Sequence, residues 1–238
     1  MYNLKMEFTK SLIKGKLIKR YKRFFVDVQL DKEIVTAHCP NTGSMFGLLK
    51  KGNKVWISKS NNLNRKLKYT LEIIEDKSAK VGVNTHSTNK IVHHALQNNL
   101  IDEVNNISEI KPEIKFGLNT RFDFLVSNEK HKSFIEVKNV TLSREKSLAE
   151  FPDAVTTRGL KHINELLKAS KKNYKIFILY LIQRDDCKSF TVAKDIDPNY
   201  ATALKKAINN KLKILCYDCK FSSKGIKLNK KMNIKFNE

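Results

Sequence analysis

Phe134-Ile135-Glu136-Val137-Lys138, with Arg121-Phe122-Asp123-Phe124-Leu125 just upstream, is the stretch on which the reading of this chain turns. Each segment is short and apolar-rich, with charge set into it. Side chains alternate along a strand, so Glu136 and Lys138 share one face while Ile135 and Val137 share the other. Charges on a buried strand face need partners. The segment from Ser127 to Lys132 has the length of a hairpin connection that would lay the two strands side by side. Asp123, Glu136 and Lys138 would then converge, an arrangement suited to a divalent metal beside a phosphodiester. The plain alternative is a structural ion pair on a half-exposed strand.

The whole chain is strongly basic: 46 Lys and Arg face 24 Asp and Glu in 238 residues, a net charge of +22. Such an excess repels itself unless an anion is the usual partner, and nucleic acid leads because Lys and Arg neutralise its phosphates. No basic amphipathic terminal helix points to a membrane surface, and the longest apolar run, residues 176–182, is far too short to span a bilayer. Residues 1–20 hold no continuous apolar segment of the secretory kind. Cys39, Cys187, Cys216 and Cys219 form no dense framework, which reads as reduced thiols in a cytoplasm. Cys216-x-x-Cys219 has no second close pair to complete a zinc site.

Five short β patterns fill the first third, at residues 11–18, 24–30, 34–38, 55–58 and 69–74. That density predicts a small OB-like barrel over residues 1–80. Lys19-Arg20-Tyr21-Lys22-Arg23-Phe24-Phe25 joins its first two strands, and Arg65-Lys66 sits between its last two. Cations there suit phosphates and an exposed ring suits a base, although Phe24 and Phe25 read as core. Pro40 to Gly47 is a glycine-punctuated connection with backbone amides available for an anion.

From residue 81 to 238 the texture becomes mixed α/β. Ser87 or Thr88 is placed to cap a helix bearing Ile91, Val92, Ala95 and Leu96. A second helix runs to Lys168, with Leu160, Ile163, Leu166 and Leu167 inward and Arg158, Lys161, His162 and Glu165 on its polar side. Ile176 to Ile182 reads as a central strand. Asp197-Pro198 starts a last helix, residues 213–219 form a final strand, and the basic tail from Phe221 reads as loosely ordered.

Residues 38–45 (HCPNTGSM), 83–85 (VNT), 134–142 (FIEVKNVTL) and 151–162 (FPDAVTTRGLKH) together resemble the sugar fermentation stimulation protein family, in order and spacing over nearly the whole chain. The resemblance implies a cytoplasmic protein that binds double-stranded DNA. It also implies an OB-fold domain followed by a domain like the PD-(D/E)xK nucleases, an α+β to α/β architecture. On that pattern Asp123 matches the Asp, and Glu136 and Lys138 the ExK. His94 stands where the family commonly carries a Glu, a departure that weakens the catalytic reading, while Glu113 is another acid of the pattern.

Two functions follow as expectations. In the first, the chain binds double-stranded DNA and has a possible regulatory effect on sugar metabolism. Lys19, Arg20, Lys22, Arg23, Arg65, Lys66, Arg158, Lys161 and His162 would contact the backbone. In the second, Asp123 and Glu136 hold Mg²⁺ or Mn²⁺ and the chain is a DNA endonuclease, with Lys138 supporting the developing charge. A third reading makes it an anion-binding regulator at the Pro40–Gly47 loop. The oligomeric state stays open, a homodimer included.

Overall fold

A computed structural model describes residues 6–8, 11–118 and 120–236. The expected absence of a secretory segment falls partly on residues 1–5, 9 and 10, outside that range. The first strand, β1 (Met6–Glu7), belongs to the second domain's sheet. The barrel follows as β2 (Ile13–Tyr21), β3 (Phe25–Gln29), β4 (Ile34–His38), β5 (Lys54–Lys59), β6 (Tyr69–Asp76) and β7 (Ala79–Gly82). Their order is β4-β3-β2-β5-β6-β7, and a parallel pairing of β4 with β6, Ala37 opposite Tyr69, closes the ring. Alternation fills it: Val26, Val28, Val35, Ala37, Val55 and Ile57 point inward, while Asp27 between two valines accepts from Thr36 and Tyr21 at the surface side. Gly15 lets β2 cross closely, since a Cβ there would lie 2.5 Å from Val28. This is the OB-like barrel the strand spacing predicts.

The second domain runs as α1 (Thr85–Gln97), β8 (Glu109–Phe116), β9 (Thr120–Ser127), β10 (Lys132–Val140), β11 (Leu148–Phe151), α2 (Thr157–Ser170), β12 (Lys175–Ile182), β13 (Ser189–Val192), α3 (Pro198–Asn209), β14 (Lys213–Phe221), β15 (Gly225–Lys231) and β16 (Asn233–Lys235). A seven-stranded sheet takes the order β1-β15-β14-β12-β10-β9-β8, with β10, β12 and β14 parallel at its centre. The strand at Ile176 to Ile182 is buried on both faces, as a central parallel strand should be. One face is covered by α1, whose Ile91, Val92, Ala95 and Leu96 join the core of Phe124, Ile135, Val137 and Leu179. The other is covered by α2 and α3, through Ile163, Leu166, Tyr200 and Leu204 on Phe122, Phe134, Ile178 and Tyr180.

Three expectations change. The cap of α1 is Asn84, whose side chain accepts from His86 N–H; Ser87 and Thr88 are instead buried in the first turn. The tail after Phe221 is not loose: β15 returns against β14, and Ile226, Leu228 and Met232 are buried. Its alternation over Gly225-Ile226-Lys227-Leu228 is short and framed by lysines, which hid it. Phe24 is not core; it is 44% exposed. Cys216 and Cys219 lie in cores on opposite sides of the sheet, so they cannot share a ligand.

Candidate active site at the splayed strands

The pairing of β9 with β10 runs from Lys132–Ser127 to Ile135–Phe124 and stops there. Phe122 and Phe124, two apart, would share a face in a regular strand. Here Phe124 enters the core beneath α1 and Phe122 the core beneath α2, so β9 turns over at Asp123. In the next strand out, Glu113 adopts a left-handed backbone (φ 54°) between the pairs Pro112–Phe124 and Ile114–Phe122. Such a conformation costs a non-glycine residue about 1 kcal/mol and accompanies functional sites.

The gap admits Asp123's carboxylate to the ladder. Its Oδ2 accepts the Val137 N–H at 2.7 Å, and its Oδ1 accepts Asn89 Nδ2 of α1 at 2.8 Å. Glu136 and Lys138 project on the α2 side as alternation requires, with Lys138 Nζ 2.7 Å from Glu136 Oε1. His162 Nδ1 of α2 bonds the same oxygen. Glu136 Oε2 is buried and has no partner. Lys138 and Glu136 are thus in direct contact, and Asp123 lies near enough to feel the charge of both.

The electrostatics divide the two acids. Burial first, and the charge of Glu136 second, push the Asp123 carboxyl up to about 6. Burial also acts against charge at Glu136, but Lys138 and then His162 outweigh it and hold that carboxyl below its ordinary value.

His162 corrects the sequence reading. It is 6% exposed and meets Phe122 edge-on at 6.3 Å, so it belongs to the carboxylate site and not to the exposed side of α2. On the same side of the helix Gly159 packs against Thr156 and Tyr200, where a Cβ would come 2.8 Å from the Thr156 hydroxyl and 3.1 Å from the ring. The buried stripe of α2 is Gly159, His162, Ile163, Leu166 and Ala169, a helical spacing that contained the signal. Asn89 went unassigned, and nothing in the sequence singles it out. Glu113 pairs with exposed Arg121 at 3.8 Å, and His94 bonds within α1's last turn to Asn98. Among the described residues no group of three His, Cys, Asp or Glu side chains stands ready to hold a metal.

The remaining cations divide into two kinds. Lys22, Arg23, Lys66, Arg158 and Lys161 are exposed, and Lys19 lies 5.4 Å over the Tyr21 ring and 4.0 Å from Asp27. Arg65 is half-buried beside His38. Arg20, by contrast, donates to the carbonyls of Arg23, Asn41 and Gly43 at 2.9, 2.8 and 3.0 Å. It holds the Pro40–Gly47 loop, whose Gly43 and Met45 N–H groups go to Asn41 Oδ1 and Asp153 Oδ2. Those two amides are already engaged and are not free for an anion. The loop is a clasp between domains: Ser44 Oγ also donates to Asp153, and Thr85 Oγ1 to the Pro40 carbonyl.

Comparison with known proteins agrees with this architecture. A family model described as the SfsA N-terminal OB domain matches residues 18–83, and one described as the sugar fermentation stimulation protein RE domain matches residues 86–225. A sugar fermentation stimulation protein homolog of Pelagibacter ubique is 59% identical over 96% of this chain and 99% of its own length. One from Pseudoalteromonas atlantica is 42% identical over 95% and 98%. The solved structure of Pyrococcus furiosus SfsA in complex with Ca²⁺ superposes with a TM-score of 0.88 at 25% identity, covering 98% of this chain and all of that one. With both domains matched in sequence and the fold shared across them, the chain belongs to the sugar fermentation stimulation protein family.

Proposed function

We propose that this protein binds double-stranded DNA on its basic surface and cleaves phosphodiesters there with a divalent cation, Mg²⁺ or Mn²⁺, at Asp123 and Glu136. The observation that carries the reading is Glu136 Oε2, a buried carboxylate oxygen without a partner beside a second acid. A buried unpaired anionic oxygen is costly, and a hard cation is the partner that carboxylates satisfy best. The Ca²⁺ in the Pyrococcus furiosus relative supports the same preference. When bound, such a cation supplies a polarised phosphate and a water of lowered pKa.

The chain's own groups supply the rest. Asn89 and the Val137 amide fix the Asp123 carboxylate, and His162 fixes Glu136. Lys138, 12% exposed at its side chain and 2.7 Å from Glu136 Oε1, offers positive charge to a phosphate arriving beside the carboxylates. Arg158 and Lys161 lie on the helix that carries His162, so backbone-neutralising cations flank the carboxylates. Cytoplasmic action and an effect on sugar metabolism through DNA are compatible with this chemistry; no described helix is long and apolar enough to cross a membrane.

The second reading is a DNA-binding protein without turnover. It is favoured by one observation, the lack of a third ligating side chain among the described residues. Supercoiled plasmid with Mg²⁺ or Mn²⁺ separates the two. The wild type is expected to nick it, and Glu136→Ala and Lys138→Ala to lose at least about 10²-fold in rate. Equal cleavage by both variants would discard the site. Salt-sensitive binding with no cleavage under any metal would leave the second reading.

A further inference from the structure

The three-residue loop joining β2 and β3, Lys22 to Phe24 between the paired Tyr21 and Phe25, turns through Lys22 (φ 47°) and Arg23 (φ 61°), two left-handed residues without a glycine. Strand alternation would direct Phe24 inward with Val26 and Val28; the turn instead leaves it 44% exposed. Its ring stacks on His38 of β4 at 6.3 Å and 11°, and His38 meets His86 of α1 at 6.5 Å and 39°. Single exposed rings are ordinary on protein surfaces. Three in a row, crossing from the barrel to the second domain, are a surface of one kind. Burial, then Arg65 and His86, hold the His38 imidazole below its usual range, so its face is uncharged near neutrality. Lys22, Arg23 and Lys66 are exposed in the loops around it.

The row is aimed. His86 lies in the first turn of α1, and one turn on, about 5 Å along the axis, Asn89 donates to Asp123. In the interior of a duplex the base faces are covered by their neighbours, so a row of flat rings engages successive bases only where they are unpaired. We propose that Phe24, His38 and His86 form a stacking platform for unpaired nucleobases, making DNA with a single-stranded overhang, above blunt duplex, the substrate class of the carboxylate site. The inference rests on the DNA-binding reading above and adds to it which DNA is preferred. The overhang would lie along the rings while the exposed lysines and arginines take its phosphates, leading the strand toward Asp123 and Glu136.

Fluorescence anisotropy with end-labelled blunt duplex, and with the same duplex carrying an oligo(dT) overhang, tests it at several salt concentrations. The wild type is expected to bind the overhang DNA about tenfold or more tightly than the blunt form, the size of one stacked base. Phe24→Ala and His86→Ala should each remove most of that preference while leaving blunt-duplex affinity and its salt slope unchanged. Phe24→Trp should restore the preference. Equal wild-type affinity for the two DNAs, or a preference surviving both alanine variants, would overturn the platform and leave the DNA-binding reading intact. No measurable binding to either DNA would overturn both.

Discussion

Val137 gives its backbone N–H to the side chain of Asp123, 2.7 Å from Oδ2, at the point where the β9–β10 ladder ends. A main-chain donor that would have paired with a neighbouring strand is spent instead on orienting an acid. The two strands part there, and the opening is where Asp123 and Glu136 come close enough to repel.

That repulsion makes stability depend on pH in a definite direction. Asp123 titrates near 6 in the folded state, above an unfolded carboxyl near 4, so folding favours its protonated form. The stability this confers is present below about pH 4 and is lost as pH rises through about 6. The difference is up to about 3 kcal/mol, at about 1.4 kcal/mol per pKa unit. Glu136 works oppositely, its stabilisation being lost on acidification, so wild-type curves alone mix the two. Urea unfolding of wild type and Asp123→Asn without metal should show the variant gaining on the wild type between pH 4.5 and 7.5. Mg²⁺ should stabilise the wild type more at pH 7.5 than at 5, because proton and cation compete for one carboxylate. Parallel curves for the two proteins would refute the assignment.

His162 is expected to act through Glu136 and not on DNA directly. Its Nδ1 meets Glu136 Oε1 and its ring is held by Phe122, so it fixes which carboxylate oxygen stays open. His162→Ala should lower cleavage by about 10²-fold while DNA affinity stays within about twofold, and His162→Gln should recover part of the rate. A phosphate-contact role predicts the reverse, a weaker Kd with a shallower salt slope.

Arg20 and Lys66 should separate structure from electrostatics. Arg20 donates to three backbone carbonyls and ties down the clasp loop, so Arg20→Ala should cost about 2 kcal/mol in stability. Lys66 is exposed, and Lys66→Ala should leave the melting temperature alone while reducing the log–log salt slope of DNA binding by about 0.9. Chemical denaturation and binding titrations on the same two proteins check this. A stable Arg20→Ala with a reduced slope would return Arg20 to the DNA face.

Legibility followed the range of the interactions. The barrel strands, the hairpin bearing Asp123 and the Glu136–Lys138 face are period-two patterns of a few residues, and sequence alone carries them. The Asp197–Pro198 helix start was equally local. What stayed hidden depended on distant partners. Asn89 becomes a support for Asp123 only when α1 packs across β9, 34 positions away in sequence. His162 looked solvated because three polar neighbours masked its place on the Gly159–Leu166 stripe. Phe24 looked buried because the left-handed turn that expels it leaves no glycine to announce itself.

The C-terminal hairpin gives the last prediction, because there the local signal misled most. Lysines dominate Gly225–Lys231, yet the strand lies between β14 and β1 and sends alternate residues into the core under α1, and the residue just past its end enters the other core. Ile226 and Leu228 join the core under α1, and Met232 joins the one under α2 beside Cys216. Met232 N–H also donates to the Cys216 carbonyl at 2.8 Å, tying the end of the chain to a central strand. Removing residues 222–238 would uncover an apolar edge of β14 and leave its ladder groups unpaired, which costs far more than trimming a solvated tail. Ile226→Ala and Met232→Ala should each destabilise by about 2–4 kcal/mol in urea. Lys227→Ala and Lys230→Ala, at positions outside the cores, should stay within about 0.5 kcal/mol. A truncated protein that melted like the full chain would mean that the lysines, and not the residues alternating with them, describe this segment.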